Sequence, residues 1–294
     1  MSPASAEARW EERGRRRQLA GHEIFALEVP AQAEESLEPL LVLHGFPSSS
    51  FDFHLVLDSL AEHRRVLLVD LVGYGLSAKP DRAYTMDLQA DVVMAYTQEL
   101  GVNRLALLTH NMGDTVGGEL LARQLEGRWP VEITRRLVTN GSIYIQMAHL
   151  SAGQEVLLSL PDERLPAGAA FDRRSMEASL AATFSPQSSV PEDELAAMSA
   201  MIAHGQGHLL LPRLIRYIEE RRAHESRYTG AIESHPSALS IVWGADDPIA
   251  VVAMATRLHE ARPDATLEIL DGVGHFPMVE APARFAQSAA RALG

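Results

Sequence analysis

The chain runs to 294 residues, 46% of them hydrophobic, enough to bury the core of an α/β domain and to carry an insertion. Its 26 basic and 39 acidic residues give a formal charge of −13, which argues against nucleic acid and against anionic membrane surfaces as partners. There is no cysteine, so disulfides and thiolate metal sites are excluded, and the absence fits a reducing compartment.

No apolar run approaches the roughly 18 residues of a membrane span. The opening stretch MSPASAEARWEERGRRR has no apolar signal core, and a soluble cytoplasmic protein is expected. Residues 1–12 read as a short polar lead and the basic run 13–17 as a solvated edge strand. Residues 22–29 alternate apolar and polar side chains like a second edge strand, whereas 40–43 are continuously apolar, as in a strand buried on both faces. His44-Gly45-Phe46-Pro47 ends that strand, and a helix is expected to follow it up to about His63. Residues 65–70 form the next buried strand, 85–100 have helical period with Gly101 as a stop, and 105–108 are again continuously apolar. A helix over 114–126 and a strand over 133–138 come next.

From residue 140 to about 235 the strand signals vanish. Helical stretches are predicted at 147–160, 173–182, 191–204 and 210–223. Strand signals return at 239–243 and 265–270, with helices at 250–261 and 282–293. Alternating β and α implies a mostly parallel eight-stranded sheet covered by helices on both faces. The expected organisation is a core of residues 1–140 and 234–294, interrupted by a helical cap over 141–233.

The stretch LALLTHNMGDTVGG, residues 105–118, is a strand, a sharp turn and a helix start. This context places a nucleophile on strained backbone above a sheet, and Ser, Asp or Cys is expected at the turn. The residue there is Asn111. Other chemistry-bearing pieces also sit at strand ends, where open α/β sheets carry their sites. The backbone N–H groups of Phe46 and of Met112 are candidates for an oxyanion hole. Asp247, in WGADDP, is the candidate acid, with Asp246 beside it, and His275, in GVGHFP, is the candidate general base. Nucleophile, acid, histidine is the chain order of α/β-hydrolases.

Through HGFPSSSFDFH, DLVGYGLSAKP, THNMGD, WGADDP and GVGHFP the chain resembles the α/β-hydrolase superfamily, in the branch of epoxide hydrolases and haloalkane dehalogenases. It is similar to the mesoderm-specific transcript hydrolases in particular, also through LIRYIEERRAHESRYTGAI. In that branch an Asp at the elbow attacks carbon and forms an alkyl-enzyme ester, which a His-activated water then hydrolyses. The resemblance therefore implies that Asn111 holds the nucleophile position, with His275 as base and Asp247 as acid, favoured over Asp246 by its spacing from Trp243-Gly244. It implies a small apolar substrate, no cofactor, and a monomer or homodimer. Epoxide hydrolases usually protonate the epoxide oxygen with two cap tyrosines. Tyr217 and Tyr144 are the candidates here, with Tyr228 a further one.

Departures bear on the chemistry. Dehalogenases of this branch usually carry Trp after the nucleophile and often Asn after His-Gly; here these are Met112 and Phe46, and no Trp falls in the cap. Fluoroacetate dehalogenases carry Arg after the nucleophile, also absent here. The expected function is thus that of an epoxide-hydrolase-type enzyme, inactive or very slow because of Asn111. A haloalkane dehalogenase, an ester or lactone hydrolase, and a non-catalytic binding protein on the same fold are the alternatives. Retention of the remaining apparatus points to an engineered Asp→Asn change, with a natural pseudo-enzyme as the other possibility. Elsewhere His110 is read as packing beside the site and Asp114 as stabilising a helix N-terminus. His204 and His208 are separated by Gly205 and Gly207, which spoils a helical metal-ligand pair, and no metal is expected.

Overall fold

Continuous apolar runs become the centre of the sheet. The structure, a computed structural model, describes residues 3–294. Eight strands form one sheet: β1 (Arg15–Leu19), β2 (His22–Val29), β3 (Leu40–Leu43), β4 (Val66–Val69), β5 (Arg104–His110), β6 (Glu132–Thr139), β7 (Ala238–Gly244) and β8 (Thr266–Leu270). Their order is β1-β2-β4-β3-β5-β6-β7-β8. β1 and β2 are antiparallel to each other, β2 is antiparallel to β4, and the pairs from β4 to β8 are parallel. All four residues of β3 and all four of β4 are buried, as strands covered on both faces must be. β2 is not an edge. The basic β1 takes the edge and covers it, so Ile24 to Leu27 are buried.

Helices on both faces complete the core: α1 (Pro3–Arg13), α2 (Leu57–Leu60), α3 (Met86–Glu99) and α4 (Gly113–Leu125). The expected polar lead is helical, because Trp10 is buried edge-on against Phe51 at 5.6 Å. The long helix expected after His-Gly-Phe-Pro is instead a 3-10 turn at Ser50–Phe53 followed by the short α2. Local side chains take over the backbone there: the Ser49 hydroxyl caps the turn, and Asp70 accepts hydrogen bonds from the Ser50 N–H and hydroxyl. α3 is capped by the Thr85 hydroxyl on the Leu88 N–H and is followed by Gly101 at φ 65°.

Between β6 and β7 the chain is helical: α5 (Ala152–Ser159), α6 (Arg173–Ala181), α7 (Glu192–Ala203), α8 (Leu211–Leu214), α9 (Tyr217–Ala223) and α10 (Glu225–Ser234). α5 opens with a reciprocal capping box between Ser151 and Gln154. The helix predicted over 210–223 is split into α8 and α9, and α10 is one the sequence pattern does not announce. Its apolar residues meet the elbow helix: the α10 backbone at Tyr228 lies so close to Gly118 that a Cβ there would come within 2.9 Å of the Tyr228 carbonyl oxygen. Arg227 of α10 also reaches Glu119 of α4 at 2.6 Å. After β7 come α11 (Val252–Ala261), β8, α12 (Pro277–Glu280) and α13 (Pro282–Leu293). No helix among the described residues is long and apolar enough to cross a membrane.

Candidate active site

β5 ends at His110 and turns sharply into α4, leaving Asn111 at φ 54°, a left-handed conformation that costs a residue with a Cβ. Two glycines permit the turn. A Cβ on Gly113 would lie 2.4 Å from the Leu43 carbonyl oxygen, and one on Gly45 would lie 2.4 Å from the Asn111 Cβ. The ends of β3 and β5 therefore close onto each other, with Asn111 between them. Thr109, where the motif usually has a small residue, is tolerated because Gly117 faces its methyl group.

Both head-group atoms of Asn111 are hydrogen-bonded. Its Oδ1 accepts from the backbone N–H of Phe46 at 2.9 Å and of Met112 at 2.5 Å. Its Nδ2 stands 2.7 Å from His275 Nε2, and the His275 Nδ1 stands 2.7 Å from Asp247 Oδ2. The amide N–H donates to Nε2, so the ring proton sits on Nδ1 and faces the carboxylate. Asp247 is saturated with donors: Oδ1 takes the N–H groups of Ile249 and Ala250, and Oδ2 also takes the Asn140 amide at 2.8 Å. Asp246 turns away and accepts from the Ser185 hydroxyl at 2.6 Å.

Three further residues position this assembly. Asn140, at the end of β6 with φ 47°, holds Asp247 with its amide and takes the Gly244 N–H on its oxygen. His110 hydrogen-bonds the His275 carbonyl through Nε2 at 2.8 Å, and burial together with the neighbouring His275 ring holds its pKa well below the usual range. Glu280 accepts from the N–H groups of Gly274, Phe276 and Ser185, tying the histidine loop to the loop after α6. Sequence reading passed over Asn140 and Glu280. The signal for Asn140 was its place at the carboxyl end of a parallel strand.

Asn111 and His275 lie at the floor of a cavity enclosing about 610 Å³ of empty space, part of it open to solvent. Its walls are mainly apolar: Phe46, Leu157, Met176, Leu180, Leu211 and Ile249. Ser151, Gln154, Ser179 and Thr183 supply the polar groups. The tyrosines expected at the substrate are not on these walls, and this corrects their placement. Tyr144 donates its hydroxyl to Glu233 at 2.7 Å, with the Arg257 guanidinium 4.2 Å from its ring centre. Tyr228 donates to Glu220 at 3.0 Å. Tyr217 is buried against Phe46, ring centres 5.7 Å apart, and burial pushes its phenol up to about 12. Carboxylate partners and a short α9 that packs behind Phe46 draw these rings away from the cavity.

Asp114, in the first turn of α4, is wholly buried, and burial pushes its carboxyl up to about 7 against the pull of its surroundings, Arg221 among them. His204 pairs with Glu7 of α1, and the backbone between it and His208 leaves helical geometry at Gly205 and Gln206. Among the described residues no three His, Asp or Glu side chains come together as a metal site.

A strained elbow after the central strand, two N–H groups facing its side chain, and a histidine backed by a carboxylate from later loops define an α/β-hydrolase. The sequence pattern of the alpha/beta hydrolase family matches residues 40–288, and the chain belongs to that family. It is 35% identical over 292 residues to the putative hydrolase LipZ of Mycobacterium tuberculosis, covering 98% of this chain and 97% of that protein. It is 32% identical over 262 residues to the mesoderm-specific transcript protein of Mus musculus, covering 85% of this chain and 77% of the relative. Among solved structures, a loop variant of a haloalkane dehalogenase from Bradyrhizobium elkanii superposes with a TM-score of 0.73 at 20% identity, over 95% of both chains. At that identity the likeness is one of fold.

Proposed function

We propose that this hydrolase is of the epoxide-hydrolase type, with asparagine standing where the chemistry requires aspartate. The observation that carries the reading is the arrangement at residue 111. One head-group atom is held by two backbone N–H groups, and the other lies on Nε2 of a carboxylate-backed histidine. A carboxylate in that position would keep one oxygen stabilised and turn the other on an electrophilic carbon. His275 would then activate water against the resulting ester, with Asp247 holding its tautomer. The neutral amide of Asn111 is a far weaker nucleophile, so the chain as given binds substrate with negligible turnover.

The helices between β6 and β7 serve as a cap over a small apolar substrate. Opening an epoxide requires a donor for the oxygen that leaves carbon. The Ser179 and Thr183 hydroxyls already donate to the carbonyls of Ser175 and Leu180. The Ser151 hydroxyl accepts from the Gln154 N–H and keeps its own proton, while Gln154 receives the Ser151 N–H on Oε1 and keeps both amide protons. Ser151 and Gln154 are therefore assigned the role first given to Tyr217 and Tyr144. The Gln154 amide also favours a second reading, haloalkane dehalogenation, because a halide leaves without a proton and needs only N–H donors. Turnover of styrene-oxide-type epoxides against halide release from bromoalkanes, both with Asn111→Asp, separates the two.

A further inference from the structure

Asn111 is held as a substrate of hydrolysis is held. In the hydrolytic half of an ester cycle, the acyl carbon at residue 111 has one oxygen on the two N–H donors and its leaving atom beside His275. The amide places Oδ1 and Nδ2 in the same two positions, 2.9 Å and 2.5 Å from the Phe46 and Met112 nitrogens and 2.7 Å from His275 Nε2. The N–H groups polarise the amide carbonyl and meet the negative charge that a tetrahedral adduct would place on Oδ1. Both Asn111 and His275 line the cavity, which opens partly to solvent and so gives water a route to the amide carbon.

We propose that Asn111 is a pro-nucleophile: the site hydrolyses its own side-chain amide and generates the aspartate with which turnover can begin. As water adds to Cγ, the Nδ2–H bond to His275 Nε2 is released, water passes a proton to that nitrogen, and the imidazolium so formed is stabilised by Asp247. His275 returns that proton to Nδ2, the C–N bond breaks, and ammonia leaves. The new carboxylic acid gives its proton to the ammonia. The balance is one amide and one water in, one carboxylate and one ammonium out, with no oxidant or reductant. The reaction runs once per chain. Spontaneous asparagine deamidation instead uses the nitrogen of the next residue to attack Cγ and yields isoaspartate as well. Here that nitrogen belongs to Met112, whose N–H is spent on Oδ1. Self-hydrolysis should therefore yield aspartate alone.

The value of this conversion to the protein rests on the proposed function, but its chemistry does not. The test incubates the full chain in water enriched in oxygen-18 and then digests it with trypsin in ordinary water. Residues 105–123 form one tryptic peptide, and Asn111 is its sole amide side chain. That peptide should gain about three daltons, one for amide to acid and two for the heavy oxygen, entirely as aspartate and not isoaspartate. Conversion should be at least about tenfold slower in His275→Gln and in the wild-type chain unfolded in urea. A folded wild-type chain that converts no faster than the unfolded one, or that gives chiefly isoaspartate, overturns the proposal. The unfolded wild-type control decides the matter even if His275→Gln fails to fold. Conversion with an inert Asn111→Asp variant sustains this inference and removes the hydrolase reading; an active Asn111→Asp variant with no conversion does the reverse.

Discussion

Asn111 donates its side-chain amide to the Nε2 of His275 across 2.7 Å while its carbonyl oxygen occupies the donors of Phe46 and Met112. On the proposed reading the side chain thereby occupies both the base and the oxyanion site of the resting centre. A carboxylate is nearly isosteric with the amide and keeps the two N–H bonds, but carries the charge needed to attack carbon. On the proposed reading, one head-group atom separates a binding protein from an enzyme.

The division of labour between residues 111 and 275 predicts a trap. With Asn111→Asp supplying the nucleophile, adding His275→Gln should leave alkylation intact and slow hydrolysis of the ester by about 10²- to 10⁴-fold. Intact-mass measurement during incubation with an epoxide should then show one covalent adduct per chain, located at residue 111. A double variant that turns over freely would contradict the role of His275.

The proton inventory of the cavity predicts which polar residue matters. In the Asn111→Asp background, Gln154→Leu should slow the alkylation step about tenfold or more, the scale of a lost donor to a developing anion. Tyr217→Phe should change that step less than about twofold, because the phenol packs behind Phe46. Rapid-mixing measurement of adduct formation compares the two. The opposite ranking would return Tyr217 to the site.

Asp114 gives a stability prediction whose sign is fixed by burial. Its folded pKa, about 7, lies above the ordinary 3.8. Its contribution is therefore full below about pH 4 and is lost as pH rises through 7. The difference has an upper bound of roughly 4 kcal/mol. Against wild type, Asp114→Asn should gain relative stability from pH 4 to pH 8 and level off above that. Urea unfolding of both chains across this range measures it. A difference that does not change with pH would show that Asp114 titrates normally.

Much of this architecture was legible in the chain. The fully apolar 40–43 and 105–108 runs had to become central strands, and the order Asn111, Asp247, His275 marked the elbow and its partners. Less visible was anything fixed by side chains competing for the backbone. The Ser49, Ser50 and Asp70 contacts broke the expected helix after Pro47, and packing on α4 created α10. The cap tyrosines were misplaced because a family resemblance suggests which residue type fills a role but not which partner each hydroxyl meets. Glu233 and Glu220 draw the hydroxyls of Tyr144 and Tyr228 away from the cavity. Asn140 escaped notice because one residue at a strand end carries no pattern of its own.

The central claim is that the centre lacks a carboxylate at position 111 and nothing else. The direct measurement is turnover of an epoxide and bromoalkane panel by Asn111→Asp beside Asn111→Ala and the freshly prepared chain as given. Asn111→Asp should turn over at least one class with repeated cycles. Asn111→Ala should stay silent, and the chain as given should bind the same substrates with negligible initial turnover. A folded Asn111→Asp protein that binds these compounds but releases no diol, alcohol or halide would contradict the account and leave a ligand-binding protein on a hydrolase fold.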